Sequence, residues 1–73
     1  MPRITLHIAD KDSSAVLTES FELGTAEETK TQVDEIFAKA DKAFGRYFFD
    51  AETDEELTAE QIIILDDLNI EII

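Results

Sequence analysis

The chain has no cysteine and no tryptophan, two glycines, one proline and one histidine among its 73 residues. Without cysteine there is no disulfide staple, no thiolate nucleophile and no cysteine-based zinc site. Two glycines are too few for the glycine-rich turns that cradle phosphates. Ser13, Ser14 and Ser20 lack the flanking glycines of a nucleophile elbow. His7 alternates outward on an extended segment with no sequence-local helper, so it reads as a surface histidine and not as a general base or metal ligand. The longest apolar run, Ile62 to Leu65, is four residues, far short of the roughly 18 that a membrane span needs. The N-terminus carries no apolar h-region. Bases are scarce as well: six Lys and Arg face eighteen Asp and Glu, a net charge of −12. Those six are dispersed, and a field of this sign repels phosphate, so direct nucleic-acid binding is not expected. The expectation is a soluble, cytoplasmic protein that is not an enzyme and holds no cofactor or metal.

Apolar residues make up 44 % of the chain, with nine isoleucines and five phenylalanines. That is enough to fold despite the charge. The length fits one domain, residues 1–73, with a thin core, because a chain of this size buries only about 60 % of the surface its unfolded form exposes.

Ile4, Leu6 and Ile8 alternate with polar residues at the period of a half-buried strand. Asp10 to Ser14 is turn material, and Ala15 to Leu23 resumes extended character, so a hairpin is expected. Leu17, Phe21 and Leu23 share one parity, but Glu19 falls on it too. Either Glu19 meets water at the sheet edge, or a bulge near Thr18 shifts the register. Thr25 with Glu28 forms a capping-box pattern. Thr29, Val33, Ile36, Phe37, Ala40 and Phe44 then mark one helical face, predicting a helix from Ala26 to Phe44. On the other face Lys30–Asp34 and Glu35–Lys39 are spaced for i,i+4 pairing. Gly45 stands where a left-handed glycine would end the helix. Tyr47, Phe48 and Phe49 open an aromatic strand that the sequence breaks at Ala51 to Glu55. Thr58 with Gln61 repeats the capping box and favours a short helix to about Leu68, with Asn69 to Ile73 as a last strand. The β-branched Ile62, Ile63 and Ile64 leave open a hairpin turning at Asp66-Asp67. The fold class is therefore α+β: an antiparallel β-sheet with one long amphipathic helix packed on one face, in the order β-β-α-β and then a short helix or strand pair.

Charge is unevenly spread. Residues 1–46 hold nine acids and all six bases, a net of −3, whereas residues 47–73 hold nine acids and no base. Such asymmetry destabilises a folded chain by self-repulsion. It serves either solubility, for which mixed signs and a net charge of about 2–8 would suffice, or recognition of a basic surface. In the second case the carboxylates of Asp50, Glu52, Asp54, Glu55, Glu56 and Glu60, with Asp66 and Asp67 near them if the last segment folds back, form a partner-binding band that imitates the phosphate charge of DNA. Tyr47, Phe48 or Phe49 would be an anchor, with core packing the role of at least two of them. Asp50, Glu52 and Asp54 also occupy positions 1, 3 and 5 of an EF-hand-like loop. Glu55 stands there in place of the required glycine, and Gln61 in place of the final glutamate, so calcium binding is not expected.

In size, acidity and mixed α/β pattern the chain resembles small phage-encoded inhibitors that mimic DNA, including anti-CRISPR proteins. No diagnostic motif accompanies the likeness, so no site residue is carried over from it. The resemblance implies a protein that acts in the host cytoplasm and blocks the DNA-binding surface of a CRISPR effector. A rival expectation is a small adaptor or subunit whose acidity serves only solubility. It would bind through its apolar C-terminus, where eight of the residues 62–73 are Ile or Leu. Bulk on both sides of that segment predicts a homodimer, or a partner docking there.

Overall fold

The computed structural model describes residues 2–73. Three strands form one antiparallel sheet: β1 (Arg3–Asp10), β2 (Val16–Glu22) and β3 (Tyr47–Thr53), in the order β2-β1-β3. The long helix α1 (Ala26–Ala43) joins the two edge strands, and the short helix α2 (Ala59–Asp66) follows β3. The α+β class and the short second helix are as the sequence leads one to expect.

Alternation in β1 builds the core directly. Ile4, Leu6 and Ile8 are fully buried, and their cross-strand partners are Phe21 and Thr53, Glu19 and Ala51, and Leu17 and Phe49. Paired residues share a face, so these positions form the covered side of the sheet. The register of β1 with β2 runs unbroken from Arg3–Glu22 to Ala9–Val16, and no bulge occurs at Thr18. Glu19 lies on the covered side but at the edge, where Lys39 of α1 donates to its Oε1 at 3.0 Å. This contact corrects the expected Glu35–Lys39 pair, since Lys39 reaches across to the strand instead. Lys30 does pair with Asp34, at 2.8 Å.

The capping box forms as written: Glu28 N–H donates to Thr25 Oγ1 at 3.2 Å, and Thr25 N–H donates to Glu28 Oε1 at 3.1 Å. Thr29, Val33, Ile36 and Ala40 are buried against the sheet. Thr29 Oγ1 accepts from Gly24 N–H at 3.2 Å, which satisfies the buried polar side chain at the helix entrance. The exit differs from expectation. Gly45 is not left-handed; Phe44 instead turns extended (φ −128°, ψ 141°), its N–H still donating to Ala40 O. The chain still reverses between α1 and β3, and it does so through the extended Phe44, whose ring is buried, without a left-handed residue. Phe37 then packs on Tyr47 and Phe49, with ring centroids 6.2 and 5.0 Å apart, joining the end of α1 to the start of β3.

A left-handed residue does occur, at the end of α2. Asn69 has φ 61°, Asn69 N–H donates to Asp66 O at 2.9 Å, and Ile70 N–H donates to Leu65 O at 3.0 Å. These paired bonds close a Schellman-type turn, in which asparagine tolerates the left-handed conformation. Leu65 and Ile70, on either side of it, are both buried. The expected final strand is reduced to one bridge, Ile72 parallel to Ala51, with Ile73 N–H donating to Ala51 O at 3.1 Å. The turn consumes Asn69 and Ile70, which leaves too few residues to extend the ladder. Among the described residues no helix is long and apolar enough to cross a membrane.

Candidate interaction surface

The odd-numbered positions of β1 and the even-numbered positions of β2 and β3 form the sheet's second face, which no helix among the described residues covers. Four rows cross it, read from β2 through β1 to β3. They are Val16–Ala9–Phe48, Thr18–His7–Asp50, Ser20–Thr5–Glu52 and, at the far end, Glu22–Arg3 with Asp54 just beyond β3. An antiparallel sheet commonly leaves one face to water. The unusual occupants are Phe48, 54 % exposed, and Val16, 63 % exposed. Of the three aromatic residues that open β3, Tyr47 and Phe49 pack against the core and Phe48 does not.

β3 runs on to Thr53, beyond the break that the sequence suggests at Ala51. Ala51 is the reason, because it is fully buried opposite Leu6 and draws its neighbours into the ladder. Asp50 and Glu52 are consequently strand residues on the open face and not loop ligands. Glu52 Oε1 lies 3.0 Å from His7 Nε2, a partner 45 positions away in sequence. Asp54 turns back on β1, its Oδ1 accepting from Arg3 N–H at 2.8 Å. Glu55 and Glu56 lie in the link to α2, and Glu60 sits in the first turn of that helix. Asp66 ends α2 and Asp67 caps it, about 9 Å along the axis from Glu60.

The eight carboxylates thus occupy a strand, a link and both ends of a helix. The structure gathers two of them, Asp50 and Asp66, with Glu71 around a concavity of about 370 Å³ that Phe49, Asn69 and Ile73 also line. Glu71 is absent from the sequence-derived band. Its place follows from the bridge: Ile72 shares the covered side with Ala51, so alternation turns Glu71 and Ile73 to the open side beside Asp50 and Glu52. A second hollow, lined by Ile62, Leu65, Asp66, Ile70, Glu71 and Ile72, adjoins it through Asp66 and Glu71.

Pairing of the charges follows the same division as the sequence count. Arg3, Lys30, Lys39 and Arg46 contact Glu22, Asp34, Glu19 and Asp12, all within residues 1–46. Among the described residues, the carboxylates of 47–73 have one such contact, Glu52 with His7. Asp66 and Asp67 moreover sit at the C-terminal end of α2, where the helix dipole disfavours negative charge and the last turn offers no base. No group of three or more acidic or histidine side chains among the described residues is arranged to hold a metal ion. Asp10 is engaged outside this region: Asp12 N–H and Ser13 Oγ–H donate to its carboxylate, and these bonds hold it below the ordinary 3.8.

Compared with known protein families, with curated proteins and with solved structures, the chain finds no match.

Proposed function

We propose that this protein is a non-enzymatic acidic inhibitor that mimics DNA charge and occupies a basic, nucleic-acid-binding surface of a partner protein, such as a CRISPR effector. One observation carries the reading. In residues 1–46 four of the nine acids are held in ion pairs with Lys or Arg, whereas among the described residues the carboxylates of 47–73 have no Lys or Arg partner and a single contact with a histidine. Two of them stand at a helix end that disfavours them. Solubility is served by mixed signs and gives no reason for this arrangement. A one-signed surface meeting a groove built for phosphate gains long-range attraction and a fast encounter.

A second reading rests on different residues. Ile62 and Ile63 on α2 and Ile73 at the β3 edge are exposed, which suits an adaptor binding through apolar contacts.

The two readings part under salt. As a charge mimic, the protein displaces duplex DNA from its partner in gel-shift competition, and its affinity falls steeply between 50 and about 500 mM salt. Changing Glu52, Asp54 and Glu55 to Lys abolishes inhibition while the far-UV spectrum stays native. Full inhibition by that folded triple variant overturns the assignment to these carboxylates, and binding that strengthens with salt favours the apolar adaptor.

A further inference from the structure

A phenylalanine on the water-facing side of a sheet is a cost to a monomer, and Phe48 is more than half exposed there. Its neighbours define what covers it. Along β3 the next residue on the same face is Asp50, about 7 Å away. Beyond the strand edge stand Asp66 and Glu71, around a hollow lined also by Phe49 and Ile73. Among the described residues none of these three carboxylates has a cation or a hydrogen-bond donor. Arg3 is the one Lys or Arg within the strand rows of the open face, and Glu22 holds it at 3.4 Å; Arg46, which immediately precedes β3, is held by Asp12.

We propose that the β3 side of this open face docks an arginine-rich segment of the partner, with a guanidinium lying on the Phe48 ring and forking to the Asp50 carboxylate. Asp66 and Glu71 then receive the next basic side chain. This rests on the reading of a basic partner given above and narrows it from positive charge in general to arginine.

Three arguments select that occupant. A guanidinium is planar, weakly hydrated and able to stack on an aromatic face while donating two parallel hydrogen bonds, whereas an ammonium is a compact, strongly hydrated point charge. An aromatic ring and a free carboxylate at alternate positions of one strand match the first and give the second no advantage. Among the described residues the acidic side chains form no group of three placed to hold a metal ion, so an extended cation suits the hollow better than a bare one. A second copy of the chain is disfavoured, because it brings the same unpaired carboxylates to the contact.

Octa-arginine and octa-lysine peptides, titrated into isotopically labelled protein at about 150 mM salt and followed by NMR, separate arginine recognition from charge alone. The expected result is octa-arginine binding about five-fold more tightly than octa-lysine, the scale of an exposed cation–π contact. Amide shifts should centre on residues 48–52 and 71–73. Phe48→Leu, which keeps an apolar side chain but removes the ring, brings the ratio to about one, and Asp50→Asn weakens octa-arginine more than octa-lysine. Equal affinities in the unaltered protein, an unchanged ratio in Phe48→Leu, shifts centred on Ile62 and Ile63, or no binding of either peptide overturns the proposal. Equal affinities that are both lost in the Glu52, Asp54, Glu55 to Lys variant overturn arginine selectivity while leaving the charge-mimic reading standing.

Discussion

Replacing Leu65 by alanine tests how the acidic half of the molecule is held to the sheet. Leu65 is 1 % exposed and is the buried residue of α2, while Ile63, two positions earlier, is 60 % exposed. Removing three carbons from a fully buried leucine costs about 2–5 kcal/mol in lost transfer free energy and in the cavity left behind. A value of about 3 kcal/mol is large against the roughly 4–11 kcal/mol expected for the whole of a domain this small. With a urea slope near 1 kcal/mol/M for a small protein, the unfolding midpoint should fall by about 3 M. Ile63→Ala removes a similar volume from the surface and should move the midpoint by less than about 0.5 M. The buried Leu65 side chain also stands beside the turn, closed by Ile70 N–H on the Leu65 carbonyl, that returns the chain to Ile70 and the Ala51 bridge. Its loss should therefore loosen residues 59–73 ahead of the sheet, visible as faster amide exchange there than in β1. A Leu65→Ala cost below about 1 kcal/mol, or an Ile63→Ala cost equal to it, would falsify this account of how α2 is anchored.

Three further expectations follow from the geometry. Burial first, and then the Tyr47 hydroxyl's 2.8 Å donation to Asp41 Oδ1, raise the Tyr47 phenol above its ordinary 10.0. The neutral form is thus favoured by folding, so its contribution to stability is complete below pH 10.0 and is lost as pH rises through the folded-state value; phenolate absorbance reads this single tyrosine alone, and an alkaline stability loss as steep in Tyr47→Phe refutes it. Because Asp50 and Glu52 are strand residues, millimolar calcium should leave the melting temperature nearly unchanged, and a rise of several degrees at micromolar calcium would contradict their placement. Self-association through Ile62, Ile63 and Ile73 should tighten with added salt, since each copy carries −12; sedimentation that finds a monomer at high micromolar concentration in both low and high salt removes the dimer.

What could be read from the sequence is what local physics dictates. The alternation of Ile4, Leu6 and Ile8, the capping boxes at Thr25 and Thr58, and the buried stripe from Thr29 to Phe44 all depend on residues within one or two turns of each other. Contacts that join distant segments left no such trace. Lys39 had a nearby acid at the right helical spacing and bonds Glu19 of β2 instead. His7 looked solitary because its partner, Glu52, is on another strand. The end of α1 departs from the sequence expectation for a related reason. Glycine is the usual left-handed residue, yet the reversal from α1 into β3 is made through the extended Phe44 with Gly45 not left-handed, while Asn69 takes the left-handed conformation that turns the chain back on Leu65. The carboxylate band was legible as composition but not as geometry. Whether Glu71 stands beside Asp50 depends on a single long-range bridge, and that bridge has no periodic signature in five residues.

That bridge also sets the symmetry of any strand-to-strand assembly. The Ala51 carbonyl at the outer edge of β3 is already occupied by Ile73 N–H, so that edge cannot serve as a template along its length. At the other side of the sheet β2 pairs with β1 alone among the described residues. A filament needs two complementary edges, one to receive and one to offer, whereas a closed pair needs only one edge that meets its own copy across a two-fold axis. With the Ala51 carbonyl of β3 occupied, any edge pairing through β2 would end at two copies.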